Sequence, residues 1–291
     1  MTAAPFVRAD TFLAIALDAG RTIMAVRAEG FDVERKGDES PVTRADRAAE
    51  AIILEALRAL IARGELPDHP IVAEEAVAAN GAPSLPSRDL YLVDPLDGTK
   101  EFTRGGEDFT VNVALVENGV PVAGVVYQPA TDTMFAGDGT GAFAERQGRR
   151  GPIACRTPER GGRLGIVASK SHRTVETDAW IDRVEREFGA GQGTSDIVSC
   201  GSSLKFCRLA EGAAHLYPRI GRTMEWDTAA GDAVLRAAGG MTFAWNGERM
   251  VYGRPEGGEE VGRRERDCAF ANPPFIATSD ASDTLPEPMR A

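Results

Sequence analysis

Apolar side chains recur at helical spacing in two segments between residues 13 and 64. In the first segment, five apolar or small residues follow the i, i+3, i+4, i+7 spacing of a buried helix face: Leu13, Ala16, Leu17, Gly20 and Met24. The second segment, 45–61, repeats this spacing more regularly, and Gly64 stands where helices commonly end. Thr43 is a suitable N-cap, so Asp46 falls in the first turn, near the positive end of the helix dipole. The pattern predicts two helices joined by the polar loop KGDESPVT.

The pattern changes to that of strands between residues 70 and 145. Four segments there are rich in Val and Tyr: IVAEE, LYLVD, FTVNVALVENG and VPVAGVVYQP. Asn118-Gly119 separates two of them and is a strong hairpin signal. The turn-rich and arginine-rich stretch from Arg146 to Arg163 is interpreted as an exposed connection or boundary. It divides the chain into an N-terminal α+β half, 1–155, and a C-terminal α/β half, 156–291.

Strand and helix patterns alternate in the C-terminal half. Strands are predicted for LGIVAS, DIVSC and HLYPRI. Helices are predicted for 177–188, SLKFCRLAEG and WDTAAGDAVLRAAGG, and short strands follow the last of them. A largely antiparallel half beside an alternating half predicts the α/β fold class.

The composition places this chain among globular proteins. It has 291 residues, of which 43% are hydrophobic and 26% charged, so disorder is excluded as its main state. The net charge of −11 argues against a nucleic-acid partner, although metal ions can join an acidic protein to an acidic substrate. We find no signal-peptide pattern, no apolar run long enough to span a membrane and no C-x-x-C pair. We therefore expect a cytoplasmic protein with reduced thiols. Peripheral association with the inner membrane is compatible with this expectation.

Two carboxylates follow the apolar strand LYLV in the sequence DPLDGTKEF. Asp94 and Asp97 lie three residues apart, separated by a rigid proline, and can point toward one place from the end of the strand. Gly98 and Thr99 then offer backbone N–H groups and a hydroxyl to an anion, as at a helix N-terminus. Alternatively, Asp-Pro and Asp-Gly only form a turn at this position.

Further carboxylates stand at the ends of other predicted elements. Glu74 and Glu75 end the strand IVA, where glutamates are commonly solvated, and Asp227 begins a helix, where an aspartate is commonly a cap. Clustered without a metal, such groups repel one another and take up protons. Two Mg²⁺ ions would balance the charges of Glu74, Asp94, Asp97 and Asp227, and oxygen ligands suit Mg²⁺.

These motifs resemble the inositol monophosphatase superfamily of Mg²⁺-dependent, Li⁺-sensitive phosphatases. The Glu-Glu pair, DPLDGT and WDTAAG stand in the family's order, together with SPVTRAD, SKSH and most of the chain between them. The versions GTKEF, GSSLKFC and LYPR resemble the 3′(2′),5′-bisphosphate nucleotidase branch, the CysQ-type enzymes. The resemblance implies the family's layered α/β sandwich, of the αβαβα type shared with fructose-1,6-bisphosphatase.

The resemblance also implies a metal site with two or three Mg²⁺ ions. Ligands of the first ion match Glu74, Asp94 and the carbonyl of Leu96. Ligands of the second match Asp94, Asp97 and Asp227. Thr99 and Asp46 match the pair that orients the attacking water, and the N–H groups of Gly98 and Thr99 match those that hold the phosphate. Glu75 is expected beside the metal ligands rather than among them.

Contacts to the substrate are implied on the nucleotide side as well. The matching residues are His172, Ser202, Lys205 and Arg219. The last two are able to pair with the phosphate that is not cleaved. The substrate-contact set also includes Glu74, Asp97, Gly98, Thr99 and Asp227. Glu225, directly before Trp226, is a further acidic residue near the predicted ligand Asp227, and the sequence does not show whether its side chain faces the site.

The reaction implied by the resemblance converts adenosine 3′,5′-bisphosphate to AMP and phosphate through a metal-activated water, in sulfate assimilation. Two alternatives remain: a phosphatase of inositol monophosphate or another sugar phosphate, and a non-catalytic metal- or nucleotide-binding protein. The S-x-x-K spacing from Ser202 to Lys205 also occurs in serine acyl-transferring enzymes, but their K-T-G and S-D-N motifs are absent from this sequence. The expected partner is a small nucleotide, without nucleic acid or an integral membrane segment, and the protein is expected to be a monomer or homodimer.

Overall fold

The computed structural model describes residues 7–35, 41–159, 163–168, 175–188, 196–253 and 269–280. Its α-helices are α1 (Asp10–Glu29), α2 (Arg44–Ala62), α3 (Glu74–Asn80), α4 (Thr99–Thr103), α5 (Val175–Phe188), α6 (Leu204–Ala210) and α7 (Glu225–Ala237). Its β-strands are β1 (Val33–Arg35), β2 (Pro41–Thr43), β3 (Ile71–Ala73), β4 (Leu90–Asp97), β5 (Thr110–Glu117), β6 (Val120–Gln128), β7 (Thr133–Asp138), β8 (Gly141–Arg146), β9 (Arg149–Ile153), β10 (Gly165–Ala168), β11 (Asp196–Ser199), β12 (Leu216–Arg219), β13 (Met241–Ala244) and β14 (Phe275–Thr278). Within these ranges, no helix is both long and apolar enough to cross a membrane.

Two large sheets form the scaffold of the described residues. The larger has seven strands in chain order, from β3 to β9, and is antiparallel except that β3 and β4 run parallel. The smaller has five strands in the order β11-β10-β12-β14-β13, and β10 runs parallel to both of its neighbours. The strands β1 and β2 form a separate antiparallel ribbon. The contrast between an antiparallel first half and a mixed second half agrees with the prediction.

Helices and sheets stack in alternating layers. Helices α1 and α2 pack on one face of the larger sheet through an apolar core that includes Ile23, Leu57, Val93 and Val113. Helices α6 and α7 lie between the sheets, in a core that includes Leu92, Phe206, Val234 and Phe275. Helix α5 covers the outer face of the smaller sheet, in a core that includes Ile166, Trp180, Ile181 and Phe243. This order confirms the predicted αβαβα sandwich.

Helix α7 lies closer to the larger sheet than ordinary side chains allow. A Cβ atom on Gly124 of β6 would meet the carbonyl oxygen of Ala230 at 2.8 Å, and one on Gly137 of β7 would meet Cα of Val234 at 2.8 Å. Because the two backbones approach so closely, the strand positions must be glycine and the facing helix surface must be small. The contact fixes the position of α7, whose first turn carries Asp227.

Two of the hairpins in the larger sheet bear on the sequence predictions. The predicted turn at Asn118-Gly119 is confirmed, since its residues have φ values of 52° and 79° and join β5 to β6.

The interpretation of Arg146 to Arg163 as a connection is wrong in its first part. Gln147 and Gly148, both with positive φ, turn the chain back, and β9 extends the sheet as its edge strand. The division of the chain at residues 155 and 156 stays a prediction.

Glu74 and Glu75 do not extend a strand. Strand β3 ends at Ala73, and the two glutamates form the first turn of α3 instead. Acidic side chains suit that position because the positive end of the helix dipole lies there. The pattern IVAEE thus predicted the strand correctly but placed its end two residues too late.

Candidate active site

Asp94 and Asp97 lie at the end of β4, where its pairing with β5 changes register. Pro95 between them lacks an N–H group and cannot continue the ladder of hydrogen bonds. Asp94 is 1% exposed, and its Oδ1 accepts a hydrogen bond from the backbone N–H of Leu96 at 3.0 Å. Asp97 Oδ2 accepts one from the backbone N–H of Ser203 at 2.7 Å. Both carboxylates are therefore held by main-chain donors.

Asp227 and Glu74 bring further negative charge to this place. Asp227 Oδ2 accepts a hydrogen bond from the backbone N–H of Met224 at 2.8 Å, which fixes the side chain in the first turn of α7. Burial raises the pKa of Asp94 well above its ordinary value, and the charges of Glu74, Asp97 and Asp227 raise that pKa further. Burial, Asp97 and Glu74 likewise raise the pKa of Asp227. The carboxylates predicted from four separate sequence positions are within electrostatic reach of one another.

The donor chemistry of this cluster suits a hard divalent cation. In each of its three aspartates one oxygen takes a backbone N–H, and the other accepts no hydrogen bond from the described residues. In those same ranges, no three or more Asp, Glu, His or Cys side chains are gathered closely enough to hold a cation by themselves. Mg²⁺ keeps several waters and takes one or two carboxylates together with phosphate oxygens, so it does not need a complete protein cage. Buried, mutually repelling oxygen donors fit such an ion.

Asp46 and Thr99 form a second polar group beside the cluster. Thr43 is confirmed as the N-cap of α2, and Asp46 Oδ2 accepts hydrogen bonds from its backbone N–H and its hydroxyl, both at 2.8 Å. Thr99 Oγ1 lies 3.1 Å from Asp46 Oδ1 and 3.2 Å from the carbonyl oxygen of Leu96. Burial raises the pKa of Asp46, and the charge of Glu74 adds to the effect, although hydrogen bonds from Thr43 oppose it. The structure brings the predicted water-orienting pair into direct contact.

Gly98 allows two loops to meet at the end of β4. It has a φ of 94°, and a Cβ atom there would lie 2.4 Å from Ser202 Oγ and 2.7 Å from the carbonyl oxygen of Asp108. Neither the conformation nor the space admits an ordinary side chain. Ser202 Oγ is itself within hydrogen-bond distance of two main-chain carbonyls, that of Asp97 at 2.9 Å and that of Asp108 at 2.8 Å. The role of Gly98 and Ser202 as phosphate and nucleotide contacts stays a prediction.

Lys205 is a buried cation under the same loop. It is 6% exposed, and its Nζ donates a hydrogen bond to the carbonyl oxygen of Ser202 at 2.9 Å. The ammonium group also lies 5.6 Å from the centre of the Tyr217 ring. Its positive charge opposes the rise that burial causes in the pKa of Asp97. Lys205 thus supplies charge to the carboxylate cluster, and its contact with the uncleaved phosphate stays a prediction.

Arg219, at the end of β12, lies within electrostatic reach of Asp227. Its Nη2 donates a hydrogen bond to the carbonyl oxygen of Arg222 at 3.2 Å, whereas its buried Nε has no hydrogen-bond partner among the described residues. The positive charge of Arg219 opposes the rise in the pKa of Asp227. Within the described ranges Arg219 forms no ion pair, which leaves its guanidinium available to an anion. His172 lies outside the described residues.

Two further glutamates near the site accept hydrogen bonds from main-chain N–H groups. Glu225 is 1% exposed, and its Oε2 accepts a hydrogen bond from the backbone N–H of Gly253 at 2.7 Å. Glu50, which the sequence analysis missed, accepts one from the backbone N–H of Glu75 at 2.8 Å. Burial, followed by the charges of Glu75 and Glu74, raises the pKa of Glu50 to about 7. The one signal for Glu50 was its position four residues after Asp46, on the same face of α2.

Comparison with known proteins connects this geometry to a family. The model of the inositol monophosphatase family matches residues 7–272. The 3′(2′),5′-bisphosphate nucleotidase CysQ of Salmonella typhimurium is 41% identical over 266 residues, which cover 91% of this chain and 96% of that protein. Inositol monophosphatase 1 of Solanum lycopersicum is 30% identical over 83% of this chain and 87% of that protein.

A solved structure agrees with these similarities. CysQ from Bacteroides thetaiotaomicron, a bacterial member of the inositol monophosphatase family, superposes with a TM-score of 0.68 at 33% identity, over 93% of this chain and 96% of that one. The match to the family model, over residues 7–272, includes every segment that contributes a carboxylate to the cluster. The chain is therefore a phosphatase that belongs to the inositol monophosphatase family.

Proposed function

We propose that this chain removes the 3′-phosphate of adenosine 3′,5′-bisphosphate and releases AMP and phosphate. One observation carries the proposal of catalysis: the Thr99–Asp46 hydrogen bond lies beside the buried carboxylate cluster, with Thr99 Oγ1 only 3.2 Å from the carbonyl of Leu96. A protein that only binds a metal or nucleotide has no need of a water-orienting pair. The nucleotide substrate is supported by the 41% identity with a relative named for that activity.

Two or three Mg²⁺ ions would be held by oxygen donors from three segments of the chain. The proposed ligands are Glu74, Asp94, the carbonyl of Leu96, Asp97 and Asp227. Main-chain N–H groups fix one oxygen of each aspartate, so the side chains are oriented before a cation arrives. When bound, Mg²⁺ supplies positive charge for the transferred phosphate and lowers the pKa of a coordinated water.

Thr99 and Asp46 are proposed to orient the attacking water. Asp46 accepts the hydroxyl hydrogen of Thr99, which leaves lone pairs on the Thr99 oxygen to accept a hydrogen from the water. Asp46 is prevented from rotating because its other oxygen is bound twice by Thr43. The backbone N–H groups of Gly98 and Thr99 are proposed to hold the phosphate. The water oxygen then bonds to phosphorus as the bond to the ribose 3′-oxygen breaks and that oxygen takes up a proton, without a covalent enzyme intermediate.

Arg219 is proposed to bind the 5′-phosphate that stays on the nucleotide. Its unpartnered Nε and its lack of an ion pair in the described ranges support this role, because guanidinium groups bind phosphate through several N–H donors. Lys205 is proposed to add positive charge to the same phosphate, and Ser202 and His172 to contact the nucleotide. Such a molecule is a by-product of sulfate transfer, so we propose sulfate assimilation in the cytoplasm as the setting and a monomer or homodimer as the form.

Inositol monophosphate or another sugar phosphate is the alternative substrate. The 30% identity with inositol monophosphatase 1 of Solanum lycopersicum favours this class. Because the carboxylate cluster and the Thr99–Asp46 pair act at the phosphate that is cleaved, they do not distinguish the two. The distinction depends on the second phosphate, and therefore on Arg219.

Phosphate release from three substrates tests the proposal. We expect adenosine 3′,5′-bisphosphate to be hydrolysed with a higher kcat/KM than inositol 1-phosphate or fructose 1,6-bisphosphate, at the same Mg²⁺ concentration. The variant Thr99→Ala, purified in the same way, controls for contaminating phosphatases. A preference for inositol 1-phosphate would overturn the nucleotide assignment and leave the phosphatase chemistry standing.

A further inference from the structure

Ser203 joins three elements of the site, although the sequence analysis gave it no role. It stands directly before α6 and is 2% exposed. Its Oγ lies 3.1 Å from Asp97 Oδ2, 2.6 Å from the carbonyl oxygen of Asp227 and 2.9 Å from Nδ2 of Asn112. Asn112 is the donor to this oxygen, and the hydroxyl has a single hydrogen for its two acceptors. With its backbone N–H and its hydroxyl together, Ser203 therefore connects the end of β4, the start of α7 and strand β5.

The hydroxyl acts together with the backbone of the same residue. The N–H group of Ser203 donates to Asp97 Oδ2 at 2.7 Å, so the Asp97 carboxylate is already held without the side chain. The shorter hydroxyl contact is to the carbonyl of Asp227, whose side chain is fixed separately by the N–H of Met224. Ser203 consequently holds the segments that carry Asp97 and Asp227 in a fixed position relative to each other.

Asn112 connects Ser203 to the larger sheet. It is fully buried and stands opposite Asp94 in the ladder between β4 and β5. Its Nδ2 donates to Ser203 Oγ, while its buried Oδ1 has no hydrogen-bond partner in the part of the chain that the structure describes. An unsatisfied buried amide oxygen is costly to stability. The hydrogen bond that Asn112 donates to Ser203 therefore explains this buried side chain better than any stability that it adds to the core.

We propose that Ser203 is a positioning residue, whose hydroxyl fixes the separation of Asp97 and Asp227, the two side chains expected on the same Mg²⁺ ion. The inference rests on the proposed metal-dependent function. Groups that orient metal ligands typically change metal affinity by 10–100-fold when they are removed. Ser202 differs from Ser203 because its hydroxyl contacts the carbonyls of Asp97 and Asp108 and does not reach α7.

Binding of Mn²⁺ alone, followed by the electron paramagnetic resonance signal of the free ion, tests this role without catalysis. Ser203→Ala removes the hydroxyl and adds no atoms, and we expect its Mn²⁺ dissociation constant to rise at least 10-fold. Ser279→Ala is the matched control, because Ser279 is also 2% exposed and its Oγ donates to a main-chain carbonyl, that of Arg156, at 2.8 Å. It should lose thermal stability to a similar extent and keep its Mn²⁺ affinity. In Ser203→Ala, high Mg²⁺ should restore kcat while the KM for substrate stays unchanged.

The outcomes separate this inference from the function on which it depends. Equal Mn²⁺ affinity in Ser203→Ala and Ser279→Ala overturns the positioning role, provided that Asp97→Asn still weakens binding. If Asp97→Asn binds Mn²⁺ as tightly as the unmodified protein, the metal assignment itself fails and the positioning role fails with it. Recovery of affinity in Ser203→Thr, which restores the hydroxyl, supports the proposal. The alanine variant decides the matter whether or not the threonine variant folds.

Discussion

Asp46 and Thr99 are hydrogen-bonded at 3.1 Å although they lie 53 positions apart in the chain. Asp46 reaches Thr99 with Oδ1 because its Oδ2 is already occupied by the backbone N–H and hydroxyl of Thr43. The same carboxylate therefore caps α2 and orients the threonine hydroxyl. A local helix cap thereby becomes part of the proposed catalytic geometry.

We expect Thr99→Ala to lower kcat at least ~100-fold, because the attacking water loses the acceptor that orients it. The Mn²⁺ dissociation constant should stay nearly unchanged, since this hydroxyl is not a proposed metal ligand. Thr103→Ala serves as the control in the same short helix, where the hydroxyl of the half-buried Thr103 donates to the carbonyl of Lys100. Steady-state kinetics with adenosine 3′,5′-bisphosphate measures both variants. Turnover of Thr99→Ala at the wild-type rate would disprove the water-orienting role.

Asp97→Asn and Asp227→Asn should each lower kcat at least ~100-fold, because each removes a charged oxygen donor from the proposed Mg²⁺ site. Excess chelator should abolish phosphate release from the unmodified protein, and millimolar Li⁺ should reduce it. Asp132→Asn is the control, since Asp132 lies in the turn between β6 and β7, accepts a hydrogen bond from Tyr127, and has a left-handed conformation that also suits asparagine. Full turnover in chelator would contradict metal dependence.

Arg219→Ala should reduce kcat/KM for adenosine 3′,5′-bisphosphate by ~10–100-fold, because a charge-assisted contact is worth roughly 1.5–3 kcal/mol. Hydrolysis of adenosine 3′-phosphate, which lacks the second phosphate, should barely change. Arg21→Ala provides the comparison, since Arg21 is exposed and paired with Asp18, an interaction worth under ~1 kcal/mol. An equal loss on both nucleotides, or no loss on either, would remove Arg219 from the substrate site.

Glu50 should make the metal-free protein less stable as pH rises. Its pKa is raised from 4.5 to about 7 in the folded state, so between these values the folded protein binds more protons than the unfolded chain. The free energy of unfolding therefore falls as pH increases from about 4.5 to about 7 and loses roughly 2–3 kcal/mol from this group. Glu50→Gln, which cannot titrate, should lack that part of the decline.

Urea unfolding in chelator at pH 5, 6, 7 and 8 measures the effect of Glu50. The buried aspartates of the cluster also titrate in the absence of metal, but they are common to both proteins and cancel in the difference. The expected result is that the variant gains stability relative to the unmodified protein as pH rises toward 7. Parallel pH profiles would show that Glu50 has an ordinary pKa in the folded state.

Much of the site could be predicted because its chemistry lies in short local patterns. Thr43 and Asp46 form a helix cap, which requires only residues three positions apart. Asp94 and Asp97 stand at a strand end marked by a proline and a glycine. Local spacing is visible in one sequence, so the element type and the identity of these side chains followed from it directly.

The remaining parts depend on contacts between distant segments. Ser203 acts on Asp97 across 106 positions, and Glu50 acts on Glu75 across 25, so neither relation leaves a local signal. The contacts of Ser202 Oγ with the carbonyls of Asp97 and Asp108 were likewise not predicted, and its contact with the nucleotide stays a prediction. Such assignments follow from the packing of layers, which a single sequence does not reveal.

The position of α7 between the two sheets has a consequence for how the chain acquires its activity. Its outer surfaces contact β6 and β7 on one side and β13 on the other, while its first turn supplies Asp227. A fragment that ends at residue 155 would leave the apolar face of the larger sheet, including Leu92 and Val116, without its cover. We therefore expect such a fragment to aggregate rather than fold. In refolding experiments, metal affinity should return only with the slowest phase, when the last layers dock.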